Sequence, residues 1–451
     1  MASTEPHAAP PDEHGLSRQL SSGQQTMMAL GGAVGTGLFL ASGLAVKVAG
    51  PAVLVSYVLV ACVALLLGRA LSEMAVAHPT AGAFGVYAGM YLSPFAGYAV
   101  RVSYWLMEVI ATGAQLVAAA TYMKFWMPAV PGAFWVIGFA IALLYVNSRE
   151  IGKLGAIEYW LVMLKVVAVV LFVGLGIALL VGATGEPAIG LGHLTAHGGF
   201  APFGVRGIGL GCCFVIYSFI GVEIVGVTSG EASDPARTIP AAMRRIVFGL
   251  SAIYLVTIAV LTALMPWNEL AGATESPFVS VLARIGIPAV ASIMNFVVLS
   301  AALSSANANL YLISRTLFSL ARAGFAPRAF GTIAARGAPL NALLASSVGL
   351  GVAALVRALS EHAYEYLFGV ALFGALFVWL MIFVTHIVFR RGRPPLGSFV
   401  GAAAIVAMLL ATHWLPGLES TLWAGGPWFL VLAIGYAVSV YVKAGSPRGR
   451  R

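Results

Sequence analysis

Charge is scarce in this chain: only 9% of its 451 residues are Asp, Glu, Lys or Arg, and only 16 are acidic. Soluble domains carry about a quarter of their residues as charges, so that class is excluded. Cysteine is scarcer still. Its three residues, Cys62, Cys212 and Cys213, all lie in apolar stretches, and an odd set placed this way reads as small buried packing residues, not a disulfide framework. The eight histidines are scattered. His193 and His197 have i, i+4 spacing but no cysteine neighbours and no HExxH glutamate, so they read as loop residues and no metal site is expected. The chain also lacks a Walker glycine-lysine motif and a nucleophile with a matched base, which argues against an ATP-driven pump and a membrane enzyme.

What fills the space is hydrophobic residue, 60% of the chain. A bilayer core is crossed by about 20 apolar residues, each rising about 1.5 Å. About twelve such stretches can be marked, over 25–46, 52–77, 97–122, 132–147, 157–182, 207–228, 245–265, 288–320, 340–357, 363–389, 397–414 and 426–443. They are long and do not alternate, which favours helices over a β-barrel. The predicted fold class is therefore an all-α integral membrane protein forming one bundle.

Residues 1–24 are polar and contain prolines, with no apolar core of a cleaved signal peptide, and read as a mobile tail. Basic residues sort to one side of the predicted spans. Arg18, Arg149, Lys153, Arg237, Arg244, Arg245, Arg315, Arg322, Arg328, Arg336, Arg390, Arg391, Arg393, Lys443, Arg448, Arg450 and Arg451 fall on that side, against Lys47, Lys124, Arg206, Arg284 and Arg357 on the other. By the positive-inside rule, both the 1–24 and the 444–451 tails are expected in the cytoplasm of a multi-pass protein of the cell inner membrane. Topology thus accounts for the net charge of +9, with a weak preference for anionic lipid as a by-product and no need for a nucleic-acid partner.

The first span holds Gly31-Gly32-Ala33-Val34-Gly35-Thr36-Gly37, four glycines in seven residues. Each costs a helix interior roughly 0.5–1 kcal/mol relative to alanine, so the helix is predicted to open there. The sixth span holds Tyr217-Ser218-Phe219-Ile220-Gly221-Val222-Glu223, again with a glycine and an acid deep in an apolar run. Close packing of the GxxxG kind fits the spacing of Gly31 and Gly35, yet it explains neither the crowding of Thr36 and further glycines nor Glu223. Two interruptions about five helices apart are the pattern of two inverted five-helix repeats, each lending one discontinuous helix to a midplane site.

These residues resemble the amino acid permeases of the amino acid, polyamine and organocation (APC) superfamily, in particular the bacterial proton-coupled transporters of its amino acid transporter branch. The resemblance runs from Leu16 to Arg393. It is carried by Ala29 to Phe39, by Ser72-Glu73-Met74-Ala75-Val76-Ala77, and by Glu158-Tyr159-Trp160 with Lys165. It continues through Gly221-Val222-Glu223-Ile224-Val225-Gly226, Gly230-Glu231-Ala232, Pro266-Trp267-Asn268-Glu269, Ser314-Arg315 and Leu317 to Ala321. It implies a first repeat over 25–182, a second over 207–389, and two added helices over 397–443. The implied activity is import of an amino acid or close amine analogue by alternating access, with a proton as coupling ion, no cofactor, and a bundle of helices one, two, six and seven rocking against the rest. Oligomeric state is not implied.

By the same resemblance the substrate carboxylate meets the amides of Gly35, Thr36 and Gly37, at the start of a half-helix whose dipole favours an anion. The ammonium finds carbonyl acceptors around Ala33, Tyr217, Ser218 and Ile220, and side-chain selectivity comes from Tyr217, Phe219 and Ile220. Lys165 lies mid-span, where an unpaired charge costs at least roughly 2.5–3.5 kcal/mol. The family places a lysine there to bridge helices one and eight and to exchange a proton, and Ser304 and Ser305 are candidate neighbours. A snorkelling or ion-paired structural lysine is the alternative.

Glu108 and Gln115, seven residues apart, share a face of the third helix. Here the chain departs from its relatives, many of which carry an acid at the position of Gln115 and a large apolar or aromatic residue at that of Glu108. Glu108 is then a relocated partner for Lys165, a partner for a substrate cation, or a structural acid satisfied by hydroxyls. Glu223 is either a gating and hydrogen-bonding group, which the resemblance favours, or an acid satisfied by packing. Arg69 and Glu73 form an i, i+4 structural pair. The expected substrate range is neutral or broad. Two other readings remain: an exchanger of two solutes, and a sensor of the same fold, for which the polar tails are short.

Overall fold

In lipid, a chain must satisfy its backbone within itself, and long apolar runs do so as helices. The computed structural model describes residues 35–80, 83–148, 151–185, 187–224, 235–270, 275–286, 288–333, 339–393 and 395–444. Among these, all regular structure is helical. We number the helices as follows: α1 (37–49), α2 (Val53–Ala77), α3 (Pro94–Met123), α4 (Gly132–Asn147), α5 (Ile151–Val181) and α6 (Gly204–Val215). Then come α7 (Pro235–Leu264), α8 (Pro288–Arg322), α9 (340–359, with a step at Ser347), α10 (Ala363–Phe389), α11 (Leu396–Ala411) and α12 (Gly425–Ala444). Nine helical segments among the described residues are long and apolar enough to cross a membrane, one of them joining α1 to α2, while α4 and α6 are shorter apolar helices. The chain is thus a multi-pass, all-helical membrane protein.

Local chemistry sets several helix ends. Ser93 caps α3, its Oγ accepting from the Ala96 amide at 3.1 Å, and Pro94 follows at the position where a missing N–H costs nothing. Between α1 and α2 the backbone turns through Gly50 at φ 63°, a value that favours glycine, and a single 3₁₀ turn over Gly50–Ala52. α7 begins ten residues before the predicted 245, because Arg237, Arg244 and Arg245 continue the helix beyond the apolar stretch. Pro240 sits near the start of that helix.

α3 packs along both α8 and α10, α2 along α7, and α1 against α6. With no hydrophobic drive between helices in lipid, polar side chains supply part of the contact. Asn295 Nδ2 on α8 donates to the Tyr122 carbonyl on α3 at 2.9 Å, and Asn147 Nδ2 on α4 donates to Asn307 Oδ1 on α8 at 2.8 Å. Glu73 of α2 is more than half of an i, i+4 pair. Its carboxylate takes Arg69 Nε at 3.1 Å and pairs with His386 Nε2 of α10 at 3.0 Å, while His386 Nδ1 meets Ser398 Oγ of α11 at 2.8 Å, so three helices are tied at one end. One expectation is corrected: Cys212 and Cys213 are buried, but Cys62 is exposed, because it falls on the outward face of α2 beside Val58 and Leu59.

Candidate functional site

The sixth span is interrupted where the sequence predicts. α6 ends at Val215, Ile216–Phe219 tighten into a 3₁₀ turn, Ile220 is extended at φ −61° and ψ 135°, and Gly221 takes φ 106°. Glu223 fits into this turn. Its Oε2 accepts from the Gly221 amide at 3.0 Å and from Trp379 Nε1 of α10 at 3.2 Å, so the acid satisfies the opened backbone and fastens it to a neighbouring helix. In the first span Ala33 lies outside the described residues. From Gly35 onward, Thr36 caps a five-residue π-helical turn, Gly37–Ala41, before regular α-helix resumes at Ser42. Such π turns are frequent at functional sites. Ser276 Oγ donates to the Phe39 carbonyl at 2.7 Å and holds that turn from a loop between α7 and α8.

The two interruptions touch. A Cβ built on Gly37 would stand 3.0 Å from Ser218 Cα and 3.2 Å from its nitrogen, a backbone approach that only glycine allows without displacement. Polar groups without partners gather around this contact. The Thr36 and Ser218 hydroxyls are buried and make no hydrogen bond among the described residues. Thr36 faces the Tyr364 hydroxyl of α10, and Ser218 faces the Tyr57 hydroxyl of α2, neither pair in normal hydrogen-bond geometry. The Ser218 carbonyl, by contrast, accepts from Tyr254 Oη at 3.0 Å. Buried polar groups are nearly always satisfied, so four unsatisfied hydroxyls around one backbone contact point to a polar ligand.

Aromatic rings line one side. Tyr217 packs on Phe368 at 4.6 Å between centroids, and Phe368 also meets Phe214 at 5.7 Å and Tyr364 at 5.9 Å. Phe219 points elsewhere: fully buried, it packs edge-on against Tyr254 at 5.5 Å, while Ile220 is only partly buried.

Lys165 is 0% exposed, and its Nζ donates to Ser305 Oγ of α8 at 3.5 Å, with buried Ser304 the preceding residue. Four residues past Ser305, Asn309 donates to Glu108 Oε2 at 2.7 Å. Glu108 is 5% exposed, and neither it nor Glu223 has a cationic side chain in ion-pair range among the described residues. Gln115, two turns along α3, is buried with its Oε1 unpartnered. Lys165 and Ser305 are thus brought together, and Glu108 and Lys165 both reach the face of α8 without pairing directly.

Sequence reasoning missed Tyr57, Asn309, Tyr364, Phe368 and Trp379. Four are aromatic residues inside apolar runs, indistinguishable there from packing residues. Asn309 carried a weak signal, as one of three asparagines on a single membrane helix.

Comparison with known proteins agrees with this arrangement. The family model described as "Amino acid permease" matches residues 24–444. The amino acid permease YtnA of Bacillus subtilis (strain 168) is 33% identical over 454 aligned positions, covering 97% of this chain and 98% of that protein. The aromatic amino acid transport protein AroP of Escherichia coli (strain K12) is 34% identical over 440, covering 94% and 96%. With a family model matching nearly its whole length and relatives aligned from end to end, the chain belongs to the amino acid permease family.

Proposed function

We propose that this protein imports an amino acid across the cell inner membrane by alternating access, driven by proton symport, with both termini in the cytoplasm. The observation that carries the reading is the Gly37–Ser218 contact ringed by unpartnered buried hydroxyls. The start of α1 offers N–H groups without partners inside their helix and a positive dipole end to a carboxylate. The extended backbone at Ile220 and Gly221 offers carbonyls to an ammonium. Repeats over 25–182 and 207–389 would supply one broken helix each, with α1, α2, α6 and α7 as the moving bundle.

For the side chain we favour a large neutral group, aromatic above all. The cluster of Phe214, Tyr217, Tyr364 and Phe368 supports this, and so does likeness to the aromatic amino acid carrier AroP. The proton is assigned to Lys165, Glu108 and Glu223, ionisable groups buried in the span, of which Glu108 and Glu223 accept from neutral donors. Gln115, Ser304 and Ser305 support them, and no cofactor is needed.

The test is uptake of labelled amino acids into proteoliposomes under an inward proton gradient, comparing wild type with Lys165→Ala. Accumulation that a protonophore collapses and the variant lacks supports symport. Uptake only into substrate-loaded vesicles means exchange, and no uptake by folded protein overturns the transport reading.

A further inference from the structure

Tyr364 stands in the first turn of α10, opposite Thr36 at the start of α1. Two buried tyrosines pair their hydroxyls, Tyr254 with the Ser218 carbonyl at 3.0 Å and Tyr87 with the His78 carbonyl at 2.9 Å, whereas those of Tyr57, Tyr104, Tyr122 and Tyr364 have no hydrogen-bond partner among the described residues. Tyr364 is equally buried, yet its hydroxyl has no hydrogen bond and faces that of Thr36, which has none either. A buried polar group left unsatisfied costs about 1–3 kcal/mol, a penalty removed when a polar atom enters between two such groups. Thr36 is also the residue that opens α1, so this pair of facing hydroxyls lies at a helix N-terminus.

We propose that Tyr364 is a substrate-positioning residue whose hydroxyl donates to the carboxylate of the bound amino acid, opposite Thr36, while its ring continues the aromatic wall begun by Tyr217 and Phe368. The inference rests on the amino acid reading of the site. A carboxylate has two oxygens and about four lone pairs, enough to accept from helix amides on one side and from a hydroxyl on the other. The chemistry fits an anion better than an ammonium: Tyr364 stands beside a positive dipole end, and a tyrosine hydroxyl aimed at a carboxylate makes a charge-assisted bond. The bound substrate then bridges α1 and α10.

Gly369, next to Phe368, packs so closely on Thr421 and Leu418 that an added Cβ would fall 2.8 Å and 3.1 Å from their side chains. The start of α10 is therefore held firmly from behind, and Tyr364 is presented by a fixed element, as a positioning group must be.

The experiment measures equilibrium binding to full-length protein in nanodiscs. L-phenylalanine, L-leucine and L-lysine are each compared with their carboxamides, for wild type, Tyr364→Phe and Thr36→Val. Removing one oxygen in Tyr364→Phe keeps the ring, and the melting midpoint is expected to stay unchanged. Affinity for the amino acid that binds wild type best should fall about tenfold, while its carboxamide, already weak, should change less than twofold. In transport the loss should appear in KM and not in the maximal rate. An equal loss for acid and amide, or none for either, overturns the proposal, because the hydroxyl then does not meet the carboxylate. A wild type that binds none of the three acids overturns the amino acid reading itself and this inference with it.

Discussion

Gly37 shows how far a single atom can matter here. Its missing side chain lets α1 lie against the backbone of Ser218, and a methyl group in its place would stand 3.0 Å from Ser218 Cα, where the neighbour cannot swing aside as a flexible side chain would. Overpacking of this kind costs typically about 1–3 kcal/mol. Because the strain falls between the two broken helices, Gly37→Ala is expected to weaken substrate binding about tenfold, as read by KM in uptake. Gly138→Ala, with nothing within 4 Å of the added atom, is the matching control and should transport normally. Glu108 offers a second test of the same grain. Glu108→Gln keeps an acceptor for Asn309 Nδ2, now 2.7 Å from the carboxylate, but removes the ionisable group. Concentrative uptake under a proton gradient should be lost while counterflow of preloaded substrate persists; loss of both would make Glu108 a structural acid.

Among the elements, close approach of helices does much of the assembly. Gly349 of α9 meets α3 so tightly that an added Cβ would press on Val109, its carbonyl oxygen 3.1 Å away, and a Cβ added to Gly113 of α3 would fall 2.8 Å from that of Ala353 of α9. Gly349→Val is expected to lower stability by about 1–3 kcal/mol, visible as a lower melting midpoint in detergent with the m-value or cooperativity preserved. The same scale decides what could be read from sequence. α10 was legible from end to end, 363–389, because an uninterrupted apolar run has one solution in lipid. The break in α6 was legible because glycine and glutamate are out of place in such a run. The wall opposite the break was not: Tyr364 and Phe368 look like packing residues until the fold brings α10 to Thr36 and Tyr217. Phe219 was legible as part of the break, but adjacent positions in a tight turn point different ways, and its ring went to Tyr254.

Across the whole molecule, charged side chains outside the apolar bodies tie separate helices together, and Glu361 is the clearest case. Lying between α9 and α10, it takes Lys124 Nζ from the end of α3 at 2.8 Å and Arg357 Nη2 from α9 at 2.6 Å. Hydrogen bonds from Arg357 and Lys124 hold its carboxyl down at about 2. The folded value lies below the ordinary 4.5, so the tie contributes its full stability above pH 4.5 and loses it as the pH falls toward 2. Glu361 is 72% exposed, and exposed pairs contribute only about 0.2–1 kcal/mol, screened by salt. Arg357 is different: its side chain is 3% exposed, so deleting the carboxylate leaves a nearly buried guanidinium without its anion. Glu361→Gln should therefore lower the melting midpoint at pH 7. The gap to wild type should narrow only in part with added salt, since screening reaches the Lys124 pair and not the buried Arg357, and it should close as both are measured at falling pH below 4.5. A gap that salt abolishes completely would show that Arg357 finds another partner. Three residues from Tyr364, the same variant also tests how the far end of the bundle holds the substrate site: a rise in KM with folding intact would mean that this ion-pair network positions the start of α10.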